Sequence, residues 1–151
     1  MRRGHRWLAG PLTVFVLLLS ACTTVEEEDP SGASAARIEP IEGTDLVRVI
    51  LTEEAVERLD MQTAAVRDAG KAGKTGGSVR VIPYASIFYG PTGDTWTYVN
   101  PEPQTYERAS VEIDYIDGRR VFLSKGPPSG TAVVTRGATE LYGVETGVDE
   151  S

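Results

Sequence analysis

This chain is poor in the side chains that most often do chemistry: it holds one cysteine, Cys22, and one histidine, His5, among 151 residues. A lone cysteine excludes an internal disulfide, and the pair cannot furnish a Cys/His zinc set. Long apolar runs are missing too. The most apolar stretch, Trp7 to Leu19, covers roughly 13 residues with Gly10-Pro11 inside it. A spanning helix needs about 20. Positive charge is scarce, with 15 basic against 22 acidic residues and a net charge of −7. Nucleic acid is therefore an unsuitable partner, because phosphate binding depends on clustered Lys and Arg.

What is present begins with the placement of that cysteine. Arg2, Arg3 and Arg6 precede the apolar stretch, and Leu19-Ser20-Ala21-Cys22 closes it. Basic residues stay on the cytoplasmic side, the short apolar run enters the bilayer, and small residues let a peptidase approach the backbone. Residues 1–21 accordingly read as a signal peptide. The tetrapeptide resembles the lipobox of bacterial lipoproteins, made here of Leu19, Ser20 and Ala21 before the acceptor Cys22. That resemblance implies a lipidated Cys22 at a new N-terminus and a protein held on the extracytoplasmic face of the cell membrane. A plain secretory signal, with Cys22 incidental, is the alternative. Cleavage removes His5 and three basic residues, leaving 12 basic against 22 acidic and a net charge of about −10.

Residues 22–40 contain Glu26-Glu27-Glu28-Asp29-Pro30-Ser31-Gly32 and almost nothing apolar. Such composition predicts a disordered tether holding the following domain roughly 20 to 25 Å from the lipid. Residues 41–147 are expected to form a single small β domain with a flexible loop at 68–78, and residues 148–151 a frayed tail. Leu46 to Leu51 reads as a strand, Thr52 as the cap of a short helix bearing Val56 and Leu59 on one face, and Met61 to Val66 as another strand. The glycine-rich loop lacks the spacing of a phosphate-binding loop. Strands are expected at Val79 to Ile82, Ile87 to Tyr89 and Thr95 to Val99, the last broken by Asn100-Pro101-Glu102-Pro103. Glu107 to Ile116 and Arg119 to Leu123 form a hairpin around a type I′ turn at Asp117-Gly118. Ala132 to Thr135 and Leu141 to Val144 complete the set. The fold class is mainly β: a small β-barrel or β-roll of about six to eight short strands with one short helix near its start.

With the strands in order, residues 83 to 144 resemble the C-terminal, membrane-proximal part of periplasmic adaptor subunits (membrane fusion proteins) of bacterial efflux pumps. Ile82-Pro83-Tyr84-Ala85-Ser86-Ile87 stands for the family's Val-Pro-x-x-Ala-Val, and Thr97-Tyr98-Val99 for its Val-Tyr-Val strand. Arg108-Ala109-Ser110-Val111 and the run from Gly126 to Ala138 follow in the family's order. Leu51-Thr52-Glu53-Glu54 through Met61-Gln62-Thr63 is similar to the opening segment of metal-efflux adaptors. Ser86 stands where alanine is usual, Pro127 replaces leucine and Thr131 an acidic residue. The lipoyl, barrel and helical-hairpin domains of the family are absent, and only the loop near Gly70 to Gly77 occupies their place.

The resemblance implies a lipid-anchored, non-catalytic domain that docks on an export permease or adaptor protein, with the loop Gly90 to Asp94 among its candidate contacts. An extracytoplasmic ligand-binding or sensing lipoprotein is the alternative, with Trp96, Tyr98, Tyr106 and Tyr115 as a binding stripe or as core. Carboxylate pairs such as Glu112 and Asp114, on one face of a strand, could in principle serve as acid and base, as could many solvent-facing pairs in an acidic protein. No catalytic residue, cofactor site or metal site is assigned.

Overall fold

The computed structural model of the protein describes residues 34–70 and 79–147. Residues 1–33, which include the stretch read as a signal peptide, the lipobox-like Leu19-Ser20-Ala21-Cys22 and most of the expected tether, lie outside the described residues, as do residues 71–78 and 148–151.

The first strand corrects the tether boundary. Strand β1 (Ala36–Pro40) pairs antiparallel with β2 (Val47–Leu51), from Ala36 opposite Leu51 to Pro40 opposite Val47. Its residues are too polar to declare a strand, but β2 supplies the ladder, and Ile41 N–H to Leu46 O at 3.0 Å closes the turn. Helix α1 (Glu53–Arg58) starts as expected: Thr52 Oγ1 accepts from Ala55 N–H at 3.2 Å, with Glu53 and Glu54 in the first turn, where the helix dipole favours them. Strands β3 (Gln62–Ala65) and β4 (Arg67–Asp68) follow, divided by the buried Val66, and β5 (Arg80–Pro83) leads into a 3₁₀ turn at Tyr84–Ser86. Ser86 is fully buried and its hydroxyl has no partner among the described residues. The position therefore asks for a small side chain rather than a polar one.

Strand β6 (Phe88–Tyr89) pairs with the start of β7 (Thr95–Glu102), which runs through the expected break at Asn100 to Glu102. Pro101 lacks an N–H, and the register shifts there. The Asn100 side chain repairs the ladder by donating to Glu102 O at 2.6 Å and Thr105 O at 2.8 Å. The single strand expected over Glu107 to Ile116 is two: β8 (Thr105–Ser110) in one sheet and β9 (Glu112–Asp117) in another. The corner is Val111, 4% exposed, whose N–H reaches Thr95 O at 3.0 Å. The hairpin from β9 to β10 (Arg120–Lys125) is present, with Arg120 opposite Asp117. Its two loop residues are Gly118 and Arg119, and only Gly118 has positive φ, at 58°. That is the pattern of a type II′ turn, one residue beyond the expected type I′.

Strand β11 (Ala132–Arg136) is followed by α2 (Ala138–Thr146) where a strand had been expected at Leu141 to Val144. Ala138, Leu141, Tyr142 and Glu145 recur at helical spacing, a signal hidden in the shorter apolar window. Gly137 caps the helix at φ 95°, and a Cβ there would lie 2.0 Å from Met61 Sδ. Only glycine suits both the conformation and the space.

These elements form two antiparallel sheets, one of seven strands in the order β1-β2-β8-β7-β11-β3 with β6 also on β7, and one of four in the order β4-β5-β10-β9. Both sheets have open ends. The mainly β expectation holds as the roll of its two alternatives, two open sheets and not a closed barrel, with the short helix α1 near its start; the described residues carry 11 strands where six to eight were expected, and a second helix, α2, after β11. Adjacent residues of β11 show the layering. Val134 joins Val49, Leu51, Tyr98 and Tyr106 in a core covered by α1 and α2, while Val133 joins Val66, Ile82, Val121 and Leu123 beneath the four-stranded sheet. Alternation along a strand sends successive side chains to opposite faces, so one seven-stranded sheet carries both cores.

Candidate interaction surface

A groove opens where the end of β3 meets β5 and the β9–β10 turn. Its volume is about 320 Å³. Ala64, Ala65, Val81 and Pro83 give it an apolar floor, and Arg67, Arg119 and Arg120 stand around it. The arginines are placed by the fold: Arg67 sits opposite Val81 across the β4–β5 pair, Arg120 opposite Pro83, and Arg119 is in the hairpin turn. The main chain after Pro83 is tied to the turn by the Tyr84 N–H, which donates to Arg119 O at 2.9 Å. Beside the groove the Tyr115 and Phe122 rings stack with centroids 4.3 Å apart, and the Arg120 guanidinium lies 5.5 Å from the Phe122 centroid.

Charge makes the groove distinctive. Of ten basic side chains in the described residues, six form carboxylate ion pairs. Arg80 is consumed by main-chain carbonyls, donating to Gly126 O at 2.5 Å. Three are left without an ion pair among the described residues: Arg58, Arg67 and Arg119. Two of these three line the groove. Sequence reasoning missed this site, because Arg67 and Arg119 are 52 positions apart and each is unremarkable alone. The Asp117-Gly118-Arg119-Arg120 turn was the only local signal.

The proposed aromatic stripe divides. Tyr98 and Tyr106 belong to the core, while Trp96 is half-buried beneath Arg108, whose Cζ is 4.5 Å from the ring centroid. Tyr115 is in the other sheet. The Tyr98 hydroxyl donates to Glu145, and Glu145 also pairs with Arg108 at 3.1 Å. Burial, then the Glu145 carboxylate, holds the Tyr98 phenol well above the usual tyrosine range. Phe88 stacks on Tyr98 at 5.0 Å and meets Tyr142 at 5.7 Å. The network fastens α2 to β7 and β8. It is enclosed, so it acts in folding rather than in recognition.

The loop Gly90 to Asp94 is ordered by its own bonds. Gly90 N–H donates to Asp94 O at 2.8 Å, and the Asp94 carboxylate accepts from the Thr92 hydroxyl and the Trp96 indole N–H. Those side-chain bonds, Thr92 first, hold the Asp94 carboxyl below its ordinary range. A lowered folded-state value means that the interaction is intact above the unfolded value, about 3.9 for aspartate, and is lost as pH falls through the folded one. In an acid titration the Trp96 indole N–H resonance is expected to move with a midpoint below that of a free aspartate, and to stay flat in Asp94→Asn. A midpoint at or above the free value would contradict this arrangement.

Glu112 and Asp114 are not a matched pair. Tyr115 faces Phe122 and Ile113 faces Leu123, so β9 bulges at Asp114 and the simple alternation that would align the two carboxylates is interrupted. Glu112 is engaged by Lys125 at 2.7 Å. Among the described residues no group of three or more His, Cys, Asp or Glu side chains converges as a metal site requires, and no helix is long and apolar enough to cross a membrane. Leu19, Ser20, Ala21 and Cys22 lie outside the described residues. Comparison with known protein families, known proteins and solved structures returns no match.

Proposed function

We propose that this protein is a lipid-anchored, non-catalytic module of the cell envelope that docks on an export transporter or an adaptor protein. The observation that carries this reading is the groove: an open apolar floor ringed by three arginines, two of them without ion pairs among the described residues, on an otherwise acidic chain. Such a surface suits recognition of another molecule, since its described lining is alanine, valine, isoleucine, proline and arginine side chains. The lipobox-like Leu19-Ser20-Ala21-Cys22 supports attachment at the membrane, and the acidic stretch after it supports a spacer. The adaptor-like order of elements between Ile82 and Ala138 supports a transporter as the partner. A second reading, an extracytoplasmic ligand-binding or sensing lipoprotein, rests on the same groove, whose volume reaches the lower end of small-molecule sites.

Affinity purification of the tagged protein from gently solubilised membranes, after cross-linking, is expected to recover a permease or an adaptor subunit. Recovery of the lipoprotein alone would overturn the docking reading. Saturable thermal stabilisation by a small anion would then support the second.

A further inference from the structure

The groove has a property beyond its charge: it runs beside an open sheet edge. Strand β3 is the last strand of the seven-stranded sheet, paired on one side with β11 through Ala65–Ala132, Ala64–Val133 and Thr63–Val134. Its other side has no strand partner among the described residues, so alternate main-chain N–H and C=O groups of Gln62–Ala65 face outward. Ala64 and Ala65 are at once part of that edge and part of the groove floor. Their methyl groups leave room for an incoming backbone. The four residues Gln62-Thr63-Ala64-Ala65 contain neither charge nor proline, so no side chain of this short edge strand repels an incoming backbone.

We infer that the groove receives an extended acidic peptide from the partner protein, which pairs with the free edge of β3 and places its carboxylates on Arg67 and Arg119. Edge pairing gives a peptide main-chain hydrogen bonds, and flanking pockets read its alternate side chains. Both arginines are exposed, and a guanidinium matches a carboxylate with two parallel N–H bonds. Arg120 is already paired with Asp117 and held over Phe122, so it shapes the wall between the other two. The floor supplied by Val81 and Pro83 suits a small apolar residue between the acidic ones. A membrane surface fits less well: exposed acidic side chains outnumber the groove arginines on this chain, and a flat anionic bilayer would meet both. This inference rests on the docking reading above and specifies the chemistry of the partner.

The test uses the full mature protein and a fluorescein-labelled peptide of sequence Asp-Val-Glu-Val-Asp-Val-Glu, followed by fluorescence anisotropy. Saturable binding that weakens as salt rises is expected, with at least a tenfold loss of affinity in Arg67→Glu/Arg119→Glu. Arg58→Glu, which alters an arginine of α1 outside the groove that has no ion pair among the described residues, should change it less than twofold. Thermal melts of all variants establish that they fold. Absence of binding, or equal binding by the groove variant, overturns the inference. So does a preference for vesicles of phosphatidylglycerol over the peptide, or binding that appears only once Glu26-Glu27-Glu28-Asp29 are replaced by serine, which would make the chain's own acidic run the occupant. In the cross-linking purification, a partner recovered equally well by wild type and by Arg67→Glu/Arg119→Glu would overturn the groove and leave the docking function standing.

Discussion

Replacing Glu145 with alanine is expected to lower the unfolding free energy by about 3–5 kcal/mol, the range for breaking one side of a buried ion pair. The Glu145 side chain is 6% exposed and serves two donors, the Arg108 guanidinium at 3.1 Å and the Tyr98 hydroxyl. Removing it strands a cation that is itself only 18% exposed and whose Nε has no partner among the described residues. It also leaves the phenol of a fully buried tyrosine unsatisfied. Against a total stability of about 5–15 kcal/mol for a domain of this size, the loss would unfold a sizeable fraction of molecules. Urea denaturation should show a lower midpoint with an unchanged slope. Glu145→Gln should cost less, because the amide oxygen can still accept from Tyr98. The exposed pair Lys125–Glu112 is the internal control. Its removal should cost no more than about 1 kcal/mol. A loss of that small size for Glu145→Ala would show that the network is solvent-screened and not a fastening of α2.

The second large effect concerns location. Under the proposed lipid anchor, Cys22→Ser is expected to shift the protein from the detergent phase to the aqueous phase in a detergent partition assay, and to abolish incorporation of a labelled fatty acid. A single acyl chain gives marginal membrane binding and two give stable anchoring, at about 0.8 kcal/mol per buried CH₂. No helix among the described residues is long and apolar enough to take over the anchor's role. The melting curve of the folded part should be unaltered, since Cys22 lies 14 positions before Ala36, where β1 begins. Recovery of partner should fall sharply if docking depends on membrane proximity. A serine variant that remains in the detergent phase would refute the anchor.

Where the fold was legible, the cause was local. The Thr52 cap, the acidic first turn of α1 and the β9–β10 hairpin declare themselves through neighbouring residues, because caps and tight turns are decided within a few positions. The misreadings share the opposite cause. Ala36–Pro40 is a strand because β2 lies beside it, and Pro101 stays within β7 because the Asn100 side chain bridges to Thr105. Val111 divides an alternating run because two sheets compete for it. Leu141 to Val144 is helical because Ala138 and Glu145, outside the apolar window, complete the helical face.

The sequence by itself determined the β class, the short apolar run that ends in Leu19-Ser20-Ala21-Cys22, the acidic balance and the scarcity of histidine and cysteine. Each follows from composition or from contacts between near neighbours. Only the tertiary structure decided that two open sheets replace a barrel, that Tyr98 and Tyr106 are core, and that Arg67 and Arg119 meet across one groove beside the edge of β3. Those features depend on residues far apart in the chain becoming neighbours, and burial and charge pairing act on distance in space.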